Sequence, residues 1–168
     1  MSSLEDVFSA INRLREAGVV EDYAVGGATA VLFYAEPART YDVDVFVIVR
    51  AADEHELAPL AAIYDWARAQ GYATEAEHIL IGGVPVQFLP TYTPLVEESV
   101  RGARRLTYGS VPVRVVGPEH LVALALQAGG GKRRERAYQL LESGDVDRVR
   151  LRDVLLRHSL STEILDDA

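Results

Sequence analysis

Leu4, Val7, Phe8, Ile11 and Leu14 fall on one stripe at helical spacing, with Ser3 and Asp6 as a capping pair and Gly18 beyond the end. Residues 4–17 are therefore predicted to form an amphipathic helix. Residues 22–25 read as a short apolar strand, and residues 28–34 as a compact helix that Pro37 keeps from continuing. The pattern changes at residues 42–49, where Val43, Val45, Val47 and Val49 line one face while Phe46 and Ile48 follow Asp42 and Asp44 on the other. A strand apolar on both faces is predicted to be central and covered by helices.

Further along, Leu57, Leu60, Ala61, Tyr64 and Ala67 place a helix over residues 54–70, which stops before Gly71. Two extended runs over residues 75–90 are divided by Gly82-Gly83, which is a hairpin signal. A helix over 94–102 and a second extended pair over 104–108 and 111–116 follow. Pro118 then opens a strongly apolar helix that ends at Gly129-Gly130-Gly131. Residues 132–141 and 146–157 read as two more helices, and residues 160–168 as a fraying tail. The order predicts an α/β (α+β) fold, a small mixed sheet flanked by helices with a helical C-terminal cap. The expected division is a core over residues 1–117 and a helical subdomain over 118–168 that is not independent.

Composition narrows the function classes. At 168 residues and 49% hydrophobic content the chain can bury one full core, and no apolar run approaches the roughly 18 residues that cross a bilayer. The opening MSSLEDVFSA has neither a basic n-region nor an apolar h-region, which gives a cytoplasmic expectation. Cysteine is absent, so disulfides, zinc thiolates and cysteine nucleophiles are excluded. A net charge of −8 does not favour broad nucleic-acid binding, which depends on many cations against phosphates.

The candidate chemistry lies between residues 23 and 49. Residues i and i+2 of a strand share a face, so Asp42 and Asp44 project together. Paired carboxylates suit a hard divalent ion such as Mg²⁺, which takes one or two of them and completes its shell with water and substrate phosphates. Gly26 and Gly27 just upstream let a backbone approach a phosphate closely. Alone, a glycine pair marks an ordinary turn, and this one lacks the third glycine of the dinucleotide fingerprint. Asp42 at a strand mouth can stay solvated. Asp44 sits deeper, where an ionised carboxylate is costly unless paired or metal-bound.

The order hydrophobic-Gly-Gly, short helix, then Arg39-Thr40-Tyr41-Asp42-Val43-Asp44-Val45-Phe46 resembles the signature of the nucleotidyltransferase superfamily of the DNA polymerase beta type. Within it, the pattern is most similar to the minimal bacterial branch that includes the AbiEii-like toxins. The match is close over residues 25–47 and beyond that is one of element order. The resemblance implies a nucleoside triphosphate held at Gly26 and Gly27, with Arg39 and Thr40 beside them, and Mg²⁺, as one ion or two, on Asp42 and Asp44 as the catalytic pair. The superfamily usually supplies a third acid from a neighbouring strand, and Gln87 stands in the matching place. Glutamine can ligate a metal through its carbonyl oxygen but brings no charge and cannot act as a base. Glu75 and Glu77 on the preceding run are alternatives to it, as well as ordinary solvated residues.

Lys132 stands near the position of a toxin lysine that contacts the triphosphate, with Arg133 where an aspartate commonly follows. The P-loop reading fails because Leu126 and Arg133 break its pattern, and a solvated helix face is the alternative for the KRRER run. Arg101, Arg104 and Arg105 can steer RNA or triphosphate, or simply pair with Glu97 and Glu98. His55, His78, His120 and His158 show no ligand spacing and are assigned no chemistry, and Trp66 and Tyr64 read as packing residues. The resemblance thus implies a Mg²⁺-dependent enzyme that moves a nucleoside monophosphate from a triphosphate to a hydroxyl of RNA, such as tRNA, or of a protein. It extends to a toxin role with an antitoxin partner. Two rivals stand beside it: a catalytically degenerate protein that binds nucleotide or a partner protein, and a structural or antitoxin-like module whose aspartates only cap a strand.

Overall fold

The structure is a computed structural model that describes residues 3–35, 42–49, 60–143 and 145–167. Its centre is one mixed seven-stranded sheet. The strands are β1 (Val20–Gly26), β2 (Val43–Val49), β3 (Ala73–Glu75), β4 (His78–Ile81), β5 (Val84–Pro90), β6 (Arg104–Tyr108) and β7 (Val111–Val115). They lie in the order β3-β4-β5-β2-β1-β7-β6, so β2 is the middle strand, as its two apolar faces require. β1 runs antiparallel to β2, whereas β2 is parallel to β5 and β1 parallel to β7.

Helix α1 (Ser3–Glu16) buries Val7, Phe8, Ala10, Ile11 and Leu14, the predicted stripe. It is tied to the sheet by Tyr23, whose hydroxyl donates to Asn12 Oδ1 at 2.6 Å, and by Asn12 Nδ2, which donates to the Pro112 carbonyl at 2.7 Å. The opposite face of β1 carries Asp22, Ala24 and Gly26 by strand alternation. There Arg114 of β7 makes an ion pair with Asp22 at 3.0 Å and donates to the carbonyls of Tyr23 at 3.1 Å and Val100 at 2.9 Å. A buried guanidinium is tolerated only when its donors are filled in this way. The bond to Val100 also fixes α4 (Pro94–Arg101) over β1.

Helix α2 (Gly27–Val31) follows β1 directly and is shorter than predicted, giving way to turns at residues 32–35. Of the helix predicted over 54–70, residues 54–59 lie outside the described residues, and α3 (Ala61–Ala69) is the part seen. The two extended runs divided by Gly82-Gly83 are β4 and β5, an antiparallel pair, and β3 is an additional short strand before them. Ala76, with φ of +54°, turns the chain between β3 and β4, a connection that carries no glycine or proline signal. α5 (Pro118–Ala128), α6 (Gly131–Glu142) and α7 (Arg148–Arg157) complete the helical third, with Asp147 capping α7 through Val149 N and Arg150 N. The tail does not fray as expected, because α8 (Glu163–Asp167) sets Ile164 into the core. One hydrophobic cluster runs from α1 through the sheet to Leu140, Leu151 and Leu155. Among the described residues no helix is long and apolar enough to cross a membrane.

Candidate active site

Hydrogen-bond register builds the site as a row across four strands. Gly26 pairs with Asp44, Asp44 with Gln87, and Gln87 with His78. Register partners share a face, so the side chains of Asp44, Gln87 and His78 stand side by side on one surface of the sheet. Asp42, two residues before Asp44, joins that surface. Thr29, itself buried, donates from Oγ1 to the Asp42 carbonyl at 3.1 Å and so fixes the mouth of β2.

The two glycines do different things. A Cβ on Gly26 would lie 2.4 Å from Cε2 of the Phe46 ring, so this glycine lets the ring pack against the backbone. Gly27 has φ of +59°, and a Cβ there would lie 2.6 Å from Asp44 Oδ2. Its backbone takes a left-handed turn that glycine alone adopts freely, and the carboxylate rests in the space that results.

The Asp44 carboxyl is pushed up from its ordinary pKa by burial first and by the Asp42 charge second. Arg136, His78 and Arg133 pull it back in part. None of them forms a hydrogen bond or ion pair with it among the described residues, whereas Asp42 Oδ2 lies 3.5 Å from His78 Nε2. Among the described residues Asp44 is therefore a desolvated acid without a direct partner, and such a group is stabilised by a cation.

Gly27, Asp42, Asp44 and Gln87 line a cleft of about 890 Å³ together with Lys132, Arg133 and Arg136 of α6. Lys132 and Arg136 are four residues apart and Arg133 and Arg136 three, spacings that bring them to one side of a helix. Of the predicted residues, Gly27, Asp42, Asp44, Gln87 and Lys132 line this one cleft, and Gly26 pairs with Asp44. Arg39 and Thr40 lie outside the described residues. Glu75 and Glu77 are exposed at the sheet edge and do not line the cleft.

Sequence reading passed over His78, whose place beside Asp42 arises only from strand register, and gave no role to Arg136. The helical spacing of Lys132, Arg133 and Arg136 was the available signal. Arg101 pairs with Glu97 at 3.2 Å and Glu21 at 3.7 Å, and Arg104 lies over the Tyr34 ring at 5.5 Å, so these two are engaged away from the cleft.

A second crevice, of about 640 Å³, lies between α4, α5 and α7 around Glu98. Glu98 accepts from Arg157 and from buried His120 at 2.7 Å, with His158 at 3.3 Å. Burial pushes its carboxyl up, but the hydrogen bonds from Arg157 and His120, with the His158 ring beside them, outweigh that and hold it at about 2. The crevice is an ion-pair network joining helices, with its charges already matched.

A mixed sheet whose central strand carries two acids against a glycine-glycine turn, with cations of the helical third lining the same cleft, defines a nucleotidyltransferase-like α/β protein. The chain belongs to the family described as "Nucleotidyl transferase of unknown function (DUF2204)", whose model matches residues 3–163. No curated protein matches it in sequence. Among solved structures it is similar to an antigenic nucleotidyltransferase-like protein from Paracoccidioides brasiliensis, at 16% identity and a TM-score of 0.58 over 98% of this chain and 91% of that one. It is also similar to the antibiotic-resistance factor ANT(2'')-Ia, at 11% identity and a TM-score of 0.54 over 95% and 93% of the two chains. At these identities the likeness shows a shared fold. Both neighbours are matched along nearly their whole length, and neither match singles out the AbiEii-like branch.

Proposed function

We propose that the cleft binds a nucleoside triphosphate with Mg²⁺ and transfers its nucleoside monophosphate to an acceptor hydroxyl, on an RNA end such as that of tRNA or on a protein. One observation carries this reading: two carboxylates at the mouth of the central strand line a single cleft with three cations. Acids and cations in one cleft match the two parts of a metal triphosphate. The donor set fits the ion, because Asp42, Asp44 and the Gln87 carbonyl are all hard oxygen ligands. Among the described residues no three His, Asp or Glu side chains are grouped so as to hold a metal ion by themselves. Mg²⁺ does not need such a group, since water and phosphate usually fill most of its shell.

When bound, the metal supplies charge neutralisation at the phosphates. Asp42 and Asp44 would hold it, and Lys132, Arg133 and Arg136 would orient the phosphate chain. Gly27 keeps the wall low enough for a phosphate to approach the Asp44 carboxylate. A toxin role, with an antitoxin as partner, belongs to the same proposal and follows from the resemblance at residues 39–46.

Gln87 favours a second reading, a protein that binds nucleotide without turnover, because a neutral amide stands where the superfamily usually has its third acid. Incubation with α-labelled triphosphates, Mg²⁺ and total RNA or total protein separates the two. Label moved to an acceptor by the wild type and not by Asp44→Asn supports transfer. Metal-dependent binding with no label moved leaves the second reading, and no binding at all sinks both.

A further inference from the structure

Beyond its acids and cations the cleft continues toward the junction of β5, α4 and α5. Its lining there changes to Leu89, Leu121, Leu124 and Ala125, with Tyr92 at the rim. Tyr92 is 65% exposed, an unusual position for a large aromatic side chain with no fold to support. Beside it are two polar groups, Thr93 and Gln127, which also line the cleft. An apolar chamber with an aromatic lip and a few placed polar groups suits a planar heterocycle.

The polar pair is oriented by α4. Thr93 is the N-cap of that helix, and its Oγ1 accepts from Val96 N at 3.2 Å. The hydroxyl's single hydrogen then finds an acceptor in Gln127 Oε1 at 3.3 Å. With its oxygen engaged, the Gln127 amide presents Nε2, a donor with no hydrogen-bond partner among the described residues. A donor met by the C6 position of a purine or the C4 position of a pyrimidine rewards a keto oxygen there and is opposed by an exocyclic amine there.

We propose that this end of the cleft is a nucleobase subsite, in which Tyr92 stacks on the base and Gln127 Nε2 donates to the oxygen at C6 of a purine or C4 of a pyrimidine, selecting guanine or uracil triphosphates over adenine or cytosine ones. The inference rests on the reading that the cleft holds a nucleoside triphosphate. It follows from the continuity of the apolar chamber with the wall of acids and cations, and from the hydrogen-bond chain Val96–Thr93–Gln127.

Calorimetric titration of inorganic tripolyphosphate, GTP, UTP, ATP and CTP, each with Mg²⁺, tests it on wild type, Gln127→Glu and Tyr92→Ala. Both residues are surface-exposed, so circular dichroism should report folded variants. Wild type is expected to prefer GTP and UTP by about tenfold, the worth of one well-placed hydrogen bond. Gln127→Glu replaces the donor by an acceptor and should reverse that ratio, whatever its added charge does to all four affinities. Tyr92→Ala should weaken the nucleotides by about tenfold and leave tripolyphosphate unchanged. Equal binding of all four nucleotides by wild type, or an unchanged ratio in Gln127→Glu, overturns the subsite while leaving the triphosphate reading intact. Failure of tripolyphosphate and every nucleotide to bind overturns both.

Discussion

Gly27→Ala strikes the backbone and the central acid at once. At φ of +59° a residue with a Cβ costs about 1–2 kcal/mol in backbone strain. The new methyl would also sit 2.6 Å from Asp44 Oδ2 and 3.3 Å from both Cβ and Cγ of Asp44. The carboxylate tip can swing, but Cβ is anchored on the central strand, so some shift of β1 against β2 must follow. A total of about 2–3 kcal/mol is expected. For a protein of this size 1 kcal/mol moves the melting midpoint by about 2–4 °C, which gives a fall of about 4–12 °C. Differential scanning calorimetry measures it, and Gly71→Ala is the control. Gly71 also has a positive φ, +87°, but a Cβ there meets nothing within 4 Å. The control should show the backbone cost alone and keep full triphosphate binding, while Gly27→Ala loses binding as its acid is displaced. Equal melting of the two variants, with binding intact in both, would refute the role given to the contact between Gly27 and Asp44.

Three further outcomes follow from the same geometry. Burial and the Asp42 charge raise the Asp44 pKa, so the folded protein holds that proton more tightly than the unfolded chain. The group's stability contribution is full below the ordinary carboxyl range and is lost as pH rises through its raised value. Asp44→Asn should therefore melt higher than wild type at pH 7 without metal, yet gain nothing from Mg²⁺ plus triphosphate in a thermal-shift assay; a lower midpoint would contradict this. Gln87→Glu restores an acid beside Asp44 and should raise the rate of label transfer in a single-turnover assay, and an unchanged rate would mean that Gln87 does not occupy the third position. Glu98 has the opposite sign: its pKa is lowered from 4.5 to about 2, so the stability it supplies is present above 4.5 and lost as pH falls toward 2. Glu98→Gln should flatten the acid limb of the denaturation curve and lower the midpoint at pH 7, with no effect on triphosphate affinity.

What could be read from the sequence was set by local pattern. The valines of β2 announced a central strand, and the two aspartates interrupting its other face announced chemistry, because both signals have a period of two. The stripe of α1, at helical spacing, and the Gly82-Gly83 turn were legible as local patterns too. Contacts made by register were not. His78 comes to Asp42 only because β4 lies beside β5 and β5 beside β2. Thr93 and Gln127 are 34 positions apart and meet only across α4 and α5. The docking of Ile164 likewise depends on tertiary packing, which overrides a weak local preference. Arg133 and Arg136 were visible as charges, but which way their helix faced was not.

The most direct measurement is a crystal structure with a non-hydrolysable triphosphate analogue and Mn²⁺, whose anomalous signal marks the metal. The geometry predicts a metal peak between Asp42 and Asp44, with the phosphates running toward Lys132, Arg133 and Arg136. A triphosphate seated in the Glu98 crevice, or one bound in the cleft with no metal on either aspartate, would contradict it.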